Sequence, residues 1–147
     1  MKKAFLLLVA TSVVGTCFGQ AADQAKERFS AFQLLVQDAK TRVKEMDIDQ
    51  LKLLVASGEK FLLIDVREDS EWAAGHAARA IHISKGVIER DIETKVPQKN
   101  SRLVLYCGSG SRSLLATDSL TKMGYSNVNS LAGGMKAYQA AGLPSEK

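Results

Sequence analysis

Cysteine is scarce in this sequence, which has Cys17 and Cys107 as its only two cysteines among 147 residues. Cys17 lies in an N-terminal segment with the features of an export signal, and removal of that segment leaves a single cysteine. A disulfide within the mature chain is then excluded. Cys107 is therefore either an inert buried thiol or a reactive one, and its neighbours in the sequence must distinguish the two.

Proline, histidine and net charge are also low. Only Pro97 and Pro144 interrupt the chain, and no repeat or second long apolar run is present, which favours one compact domain. The 20 basic and 16 acidic residues give a net charge of +4, an excess too mild to indicate nucleic-acid binding. One cysteine with His76 and His82 lacks the number and spacing of metal ligands, so we expect no metal and no cofactor.

The first 21 residues, MKKAFLLLVATSVVGTCFGQA, follow the pattern of a secretory signal peptide. Two lysines precede an apolar run from Ala4 to Gly15, and small residues lie around Ala21. We predict cleavage near Ala21 and a periplasmic or secreted mature protein with no attachment to a membrane. Two alternatives stay open, namely retention of the run as a membrane anchor and lipidation of Cys17.

Residues 22–46 are mostly polar and favour a helix. Apolar residues recur at intervals of three and four positions, at Phe29, Phe32, Val36, Ala39, Val43 and Met46. This spacing predicts an amphipathic helix over residues 22–46. Its apolar stripe packs either on its own domain or on another copy, so a homodimer through residues 22–46 is one expectation.

Short apolar runs alternate with helix-like stretches from residue 47 onward. The runs FLLIDV, AIHIS, RLVLYC and NVNSL begin at Phe61, Ala80, Arg102 and Asn127. Helices are predicted over residues 47–58, 70–74, 87–94, 111–123 and 134–141, the first of them with Asp47 as N-cap and Gly58 as its stop. The unbroken apolar runs favour a parallel sheet buried on both faces, and the alternation indicates an α/β fold.

Cys107 lies at the end of one predicted strand, RLVLY, and CGSG forms the turn into the next helix. Gly108 and Gly110 permit positive φ, so backbone amides can point into the loop. Lowering a cysteine pKa from about 8.5 to about 6.5 needs roughly 2.7 kcal/mol, and a helix terminus supplies about 2 kcal/mol at most. The amides from Gly108 to Arg112 and the Arg112 guanidinium are natural sources of the rest, which favours a reactive Cys107.

Other motifs are absent from this loop. Ser113 stands where a dinucleotide-binding GxGxxG needs its third glycine, and GxSxG does not occur. Ser109, Ser111 and Ser113 are therefore interpreted as loop lining and caps. His76 and His82 are interpreted as structural, although a dyad of Cys107 with either histidine stays open.

Three segments together resemble the single-domain rhodanese family of sulfurtransferases: FLLIDVREDSEWAAGHAARAIHIS, LVLYCGSGSRS and MGYSNVNSLAGGMKAYQAAGLP. The resemblance runs from about Asp47 to Pro144 and implies a rhodanese-like domain over residues 47–147. It implies a parallel sheet of about five strands with helices on both faces, preceded here by the N-terminal helix. It also implies that Cys107 accepts sulfur from a small donor such as thiosulfate, holds it as a persulfide, and passes it to cyanide or a thiol.

The resemblance assigns roles to particular residues. It makes Cys107 and Arg112 catalytic, and makes Asp65 and Glu71 orienters of the loop arginines. The expected substrate-binding residues are Gly108, Ser109, Gly110, Ser111, Ser113 and Arg67, the last as a ligand for an anionic donor. Where the family usually has Ile-Pro-Gly, this chain has Ala77, Ala78 and Arg79, which leaves the shape of that turn open.

Two rival functions are compatible with the same residues. Phosphatases and arsenate reductases of the same fold have five residues between cysteine and arginine, whereas four separate Cys107 from Arg112. A sulfur-carrier or protein-binding module is the second rival, but silent modules of this family usually lack the cysteine. The expected partners are therefore a sulfur donor and an acceptor, without nucleic acid and without a membrane after signal cleavage.

Overall fold

The computed structural model describes residues 29–147, and the predicted signal peptide with Cys17 lies outside the described residues, as does the start of the 22–46 segment. The chain divides into two units between residues 34 and 35, and the described part of the first unit is residues 29–34. In the first unit, Ser30 and Gln33 exchange hydrogen bonds: the Gln33 N–H donates to Ser30 Oγ at 3.2 Å, and the Ser30 N–H donates to Gln33 Oε1 at 2.8 Å. This reciprocal pair caps the start of a helix.

The described residues form six helices and seven strands. The helices are α1 (Ala31–Lys40), α2 (Ile48–Ser57), α3 (Asp69–Ala74), α4 (Ile88–Lys95), α5 (Ser111–Lys122) and α6 (Gly134–Ala140). The strands are β1 (Lys44–Met46), β2 (Leu62–Asp65), β3 (His76–Ala77), β4 (Ile81–His82), β5 (Leu103–Tyr106), β6 (Val128–Leu131) and β7 (Ser145–Glu146). The strands and helices predicted after residue 47 are all present, with ends that differ by one or two residues.

The predicted helix over residues 22–46 is wrong at its C-terminal end. Helix α1 ends at Lys40, and residues 44–46 form β1, which pairs in parallel with β6. The Ala132 N–H donates to Met46 O at 2.9 Å, and Met46 is buried in the core. Sheet pairing thus prevails over a spacing that also fits a helix. The homodimer through residues 22–46 stays a prediction.

An ion-pair cluster connects the turn after α1 to α5. Arg42 Nη2 lies 2.8 Å from Asp38 Oδ2 and 3.1 Å from Asp118 Oδ2. Lys122 Nζ adds a contact of 2.7 Å to the same Asp118 oxygen. Because Asp118 is largely buried, its two cationic partners compensate a carboxylate that would otherwise be costly to bury.

Helix α2 follows the expectation from its sequence. The Gln50 N–H donates to Asp47 Oδ1 at 2.8 Å, and the Asp47 N–H donates to Gln50 Oε1 at 2.9 Å. Gly58 takes a left-handed φ of 70° and ends the helix. Both ends are therefore determined by local chemistry that can be read from the sequence.

The five-stranded sheet has the order β1-β6-β5-β2-β4, and all of its strand pairs are parallel. Successive residues of β5 point to opposite faces, so Leu103 and Leu105 pack with α4 and α5, while Val104 and Tyr106 pack with α2 and α6. Helices on both faces explain why the strands are unbroken apolar runs. The expected architecture is confirmed.

A second, two-stranded sheet pairs β3 with β7 in antiparallel orientation. It includes the turn where the sequence departs from Ile-Pro-Gly. Arg79 adopts a φ of 64°, a conformation that normally favours glycine, and its N–H donates to Glu146 Oε1 at 3.0 Å. The turn therefore keeps a glycine-like backbone with an arginine side chain, held by a contact to β7.

The carboxyl ends of the central strands lie side by side. Asp65, the last residue of β2, is paired with Tyr106, the last residue of β5. The residues that follow these two strands therefore emerge at the same edge of the sheet, where ligands bind in open α/β folds. Within residues 29–147, no helix is long and apolar enough to cross a membrane.

Candidate active site

Cys107 directly follows β5 and belongs to the apolar core, with 1% of the residue exposed. The Gly110 N–H donates to Cys107 Sγ at 3.2 Å. Gly110 has a φ of 106°, which an L side chain rarely adopts, so glycine at this position lets the chain turn back over the sulfur. The loop thus closes around the thiol before α5 begins at Ser111.

The pKa of the Cys107 thiol is lowered from its ordinary value. Burial is the largest influence and raises the pKa, but hydrogen bonds, chiefly from the N–H groups of Ser113, Ser109 and Gly110, favour the thiolate more strongly. A buried thiol without such donors would stay protonated. The loop amides therefore distinguish Cys107 from an inert core cysteine.

Ser113 has a structural contact as well. Its hydroxyl donates to Gly110 O at 2.9 Å and lies 2.9 Å from the hydroxyl of Ser130 in β6. Both serines are fully buried, so these hydrogen bonds satisfy polar groups that would otherwise be costly. Ser113 thereby fixes the end of the loop against the neighbouring strand. The exposed Ser109 and the half-buried Ser111 lie on the outer part of the loop.

Arg112 forms a two-pronged ion pair with Glu71 of α3. Arg112 Nη1 donates to Glu71 Oε2 at 2.6 Å, and Nη2 donates to Oε1 at 2.8 Å. The pair lies against the loop, because a Cβ on Gly108 would be 3.5 Å from Arg112 Nη2 and 3.8 Å from Glu71 Oε1. The pKa of Arg112 is raised by Glu71, against burial, and the Cys107 thiolate raises it further. The guanidinium is thus positioned by Glu71 and interacts with the thiolate.

The ion pair of Glu71 with Arg112 should contribute stability near neutral pH that is lost in acid. The hydrogen bonds from Arg112 lower the Glu71 pKa from its ordinary value of 4.5 to about 2. A carboxylate with a lowered folded pKa contributes stability above pH 4.5 that disappears as the pH falls towards 2. Since about a third of each side chain is exposed, we expect a contribution of about 1 kcal/mol or less.

Denaturant unfolding between pH 2 and pH 6 tests this expectation. The free energy of unfolding of the wild-type protein should exceed that of Glu71→Gln above pH 4.5, and the difference should disappear between pH 4.5 and pH 2, because glutamine does not titrate. A difference in unfolding free energy that stays constant across this range would contradict it.

Arg67 is buried and paired with Asp65. Arg67 Nη2 lies 2.6 Å from Asp65 Oδ2 and also donates to Gly75 O at 2.8 Å. Arg67 lines a cavity of about 570 Å³ together with Glu71 and residues of the C-terminal strand, but Cys107 is not among the residues that line it. Asp65 therefore holds Arg67, and Glu71 holds Arg112. Binding of an anionic donor by Arg67 stays a prediction.

Trp72 stacks on both histidines of the chain. Its ring centroid lies 3.4 Å from that of His76 and 5.0 Å from that of His82, with nearly parallel planes. His76 Nδ1 is 3.3 Å from Trp72 O, and His82 Nε2 is 2.9 Å from Arg67 O. In the part of the chain that the structure describes, both imidazoles thus have backbone carbonyls as hydrogen-bond partners, as a structural role requires.

The Cys107 loop contacts the start of α6, which the sequence did not predict. A Cβ on Gly134 would lie 2.2 Å from Cys107 O, and a Cβ on Gly110 would lie 3.3 Å from Gly133 N. The loop and the helix therefore touch backbone to backbone. The sequence contains the Gly133-Gly134 pair, but no neighbouring residue indicates that this pair packs on the loop from Cys107 to Gly110.

A cysteine held by loop amides at the end of a parallel strand defines an α/β domain with an activated thiol. Residues 47–141 match the profile of the Rhodanese-like domain. The chain therefore belongs to the rhodanese-like domain family. Among the residues from 29 onward, no group of three or more His, Cys, Asp or Glu residues could hold a metal ion.

Two relatives and one solved structure illustrate the similarity. The chain is 35% identical over 102 residues to a sulfurtransferase of Allochromatium vinosum, covering 69% of this chain and 94% of the relative. It is 38% identical over 73 residues to the thiosulfate sulfurtransferase PspE of Escherichia coli, covering 50% and 69%. A Rhodopseudomonas palustris protein of unknown function, described as a possible tyrosine phosphatase, aligns with a TM-score of 0.72 and 25% identity, covering 80% and 95%.

Proposed function

We propose that this protein is an exported sulfurtransferase that moves sulfane sulfur from a small donor to a thiophilic acceptor through a persulfide on Cys107. The proposal is supported chiefly by the surroundings of the Cys107 thiol. Its sulfur accepts a hydrogen bond from the Gly110 N–H at 3.2 Å, and the surrounding amides lower its pKa despite burial. A thiolate is the nucleophile that this reaction needs.

The reaction requires one cysteine. With thiosulfate as donor, the Cys107 thiolate attacks the outer sulfur, the sulfur–sulfur bond breaks, and sulfite leaves with the bonding electron pair. Cyanide or an acceptor thiolate then attacks the terminal sulfur of the persulfide and releases Cys107 as thiolate. Sulfane sulfur is transferred without any external oxidant or reductant, so a single thiol completes the cycle.

The loop suits the intermediate as well as the thiolate. A persulfide places its negative charge on the terminal sulfur, one bond further from the backbone than the Cys107 Sγ. Backbone N–H groups that converge on the sulfur stabilise this anion without being deprotonated. The guanidinium of Arg112 adds positive charge beside the loop, where Glu71 holds it. We assign Arg112 the role of stabilising anions on Cys107.

Relatives named as sulfurtransferases support sulfur transfer, and the name of PspE supports thiosulfate as donor. Export is supported by the sequence pattern of the first 21 residues. The proposed acceptor is cyanide or a small thiol, because the buried Cys107 offers little surface to a large partner. A sulfur-carrier role, in which the acceptor is a partner protein, is the alternative for this same persulfide.

Phosphatase activity is the second candidate, favoured by the description of the Rhodopseudomonas palustris protein. Two observations weigh against it. The loop has four residues between Cys107 and Arg112, so its cradle is one residue shorter than that of phosphatases of this fold. Both terminal nitrogens of Arg112 donate to Glu71, so this bidentate face of the guanidinium is already occupied and is not free for phosphoryl oxygens.

Assays with thiosulfate, a small thiol persulfide and an aryl phosphate test the proposed function. We expect transfer of sulfur from at least one of the two sulfur donors and no appreciable phosphate release. Mass spectrometry of the donor-treated protein should find one additional sulfur on the Cys107 peptide, and cyanide should remove it. Faster hydrolysis of the aryl phosphate than transfer from either donor would overturn the assignment.

A further inference from the structure

The loop that carries Cys107 is fastened through its carbonyl oxygens. Cys107 O accepts a hydrogen bond from the Met135 N–H at 2.7 Å, and Gly108 O accepts one from the Lys136 N–H at 3.2 Å. Both donors lie in the first turn of α6, where backbone N–H groups have no acceptor within the helix. Helix α6 therefore uses these free N–H groups to hold two consecutive peptide units of the loop.

Holding a carbonyl also fixes the N–H group on the other side of the same peptide unit. A trans peptide is planar, and its C=O and N–H point in opposite directions. Since the Gly108 carbonyl points towards α6, the Ser109 N–H of that unit points away from α6. The Ser109 N–H is one of the groups that favour the Cys107 thiolate. The Lys136 N–H thus determines the direction of a donor that acts on the sulfur.

Gly134 allows the helix to approach this closely. Its φ is 54°, and an added Cβ would lie 2.2 Å from Cys107 O and 3.0 Å from Cys107 C. Atoms this close cannot coexist, and both contacts are with backbone, which has little room to move. Any side chain at this position must therefore push the first turn of α6 away from the loop and lengthen the two hydrogen bonds.

We propose that the start of α6, through Gly134 and the Lys136 N–H, positions the loop amides and so sets the fraction of Cys107 present as thiolate. Both are positioning residues, because the Lys136 N–H acts through the Gly108–Ser109 peptide unit and Gly134 permits the close approach at Cys107 O. This proposal concerns the same site as the proposed function. It rests on the proposed function only for the expectation that a change in the thiolate fraction changes the rate of sulfur transfer. The effect on the thiolate holds for any reaction of Cys107.

A comparison of Lys136→Pro with Lys136→Ala tests the role of the N–H group. Both variants lose the same exposed side chain, but only proline lacks the N–H, and an N–H in the first turn has no acceptor within the helix. The pH midpoint of Cys107 alkylation by iodoacetamide should be higher in Lys136→Pro by about 0.5 to 1 unit. Mass spectrometry of the Cys107 peptide keeps Cys17 out of the measurement.

Gly134→Ala, with Gly142→Ala as its control, tests the close approach. Both glycines have positive φ, at 54° and 68°, but a Cβ on Gly142 would meet no atom within 4 Å. The control thus carries the backbone strain without the clash. We expect a raised alkylation midpoint for Gly134→Ala alone, with circular dichroism establishing that each variant is folded. A native midpoint in folded Lys136→Pro or folded Gly134→Ala would overturn the proposal.

A measurement on the unmodified protein needs no variant. The amide nitrogen chemical shifts of Met135 and Lys136 should titrate with the same midpoint as Cys107, because deprotonation changes the polarisation of the peptide units between them. Shifts that stay constant through the Cys107 titration would overturn the proposal even if every variant fails to fold. A wild-type protein that transfers no sulfur would overturn the proposed function, while the alkylation midpoints would still decide the positioning role.

Discussion

Replacing Cys107 with serine should abolish sulfur transfer, with a loss on the order of 10³-fold or more, as for other nucleophile replacements. A hydroxyl cannot capture sulfane sulfur in a stable sulfur–sulfur bond, so the covalent intermediate disappears. The protein should stay folded, because serine is close in size and its oxygen can accept the Gly110 N–H that now bonds to Cys107 Sγ. Transfer assays with thiosulfate and a thermal melt measure the two effects separately.

The matched control is Cys17→Ser in the full-length chain. It removes the other cysteine of the sequence and should leave transfer unchanged. Turnover in Cys107→Ser above about a hundredth of the wild-type rate would contradict the persulfide mechanism. So would a sulfur adduct on any peptide other than that of Cys107. Loss of both activity and folded structure would instead assign Cys107 a packing role in the core.

Much of the fold follows from local sequence signals. Unbroken apolar runs predict β2 and β5, and the capping residues Asp47 and Gly58 predict both ends of α2. The glycines after Cys107 predict a tight loop, which the φ of Gly110 confirms. These features succeed because each depends on residues close together in the chain. Strand β1 was not predicted, because Met46 continues the spacing of a helical stripe and only pairing with β6 makes residues 44–46 a strand.

The candidate site depends more on contacts that are distant in sequence. Glu71 and Arg112 are 41 residues apart, and only the family resemblance suggested that Glu71 orients a loop arginine. The fastening of the loop by α6 had no local signal, since a glycine pair is compatible with any turn. Sequence therefore indicates which residue reacts, whereas the surroundings that make it reactive emerge from the packing of α3, α5 and α6.

Arg112→Ala and Glu71→Gln should shift the Cys107 pKa in opposite directions. The first variant removes a positive charge and leaves the Glu71 carboxylate beside the loop, so the pKa should rise by about 0.5 to 1 unit. The second removes the negative charge while its amide oxygen can still accept from Arg112, so the pKa should fall by a similar amount. The pH dependence of Cys107 alkylation measures both shifts.

The double variant Arg112→Ala/Glu71→Gln separates charge from contact. The native pair is neutral as a whole, and so is the doubly substituted pair, so the alkylation midpoint should return close to that of the wild-type protein. A midpoint that stays raised would mean that Arg112 acts through direct hydrogen bonding to the thiolate. Shifts of the same sign in both single variants would contradict the electrostatic argument.

Sulfur transfer should follow the same pattern. Because only the thiolate attacks the donor, Arg112→Ala should lower the rate by about three- to tenfold at a pH below the Cys107 midpoint, as a shift of 0.5 to 1 unit requires. The deficit should disappear at high pH, where the thiol is ionised in both proteins. A deficit that persists there would instead place Arg112 in contact with the donor, since binding of an anion does not depend on ionisation of Cys107. The pH profile of the single variant thus distinguishes activation of the nucleophile from recognition of the substrate.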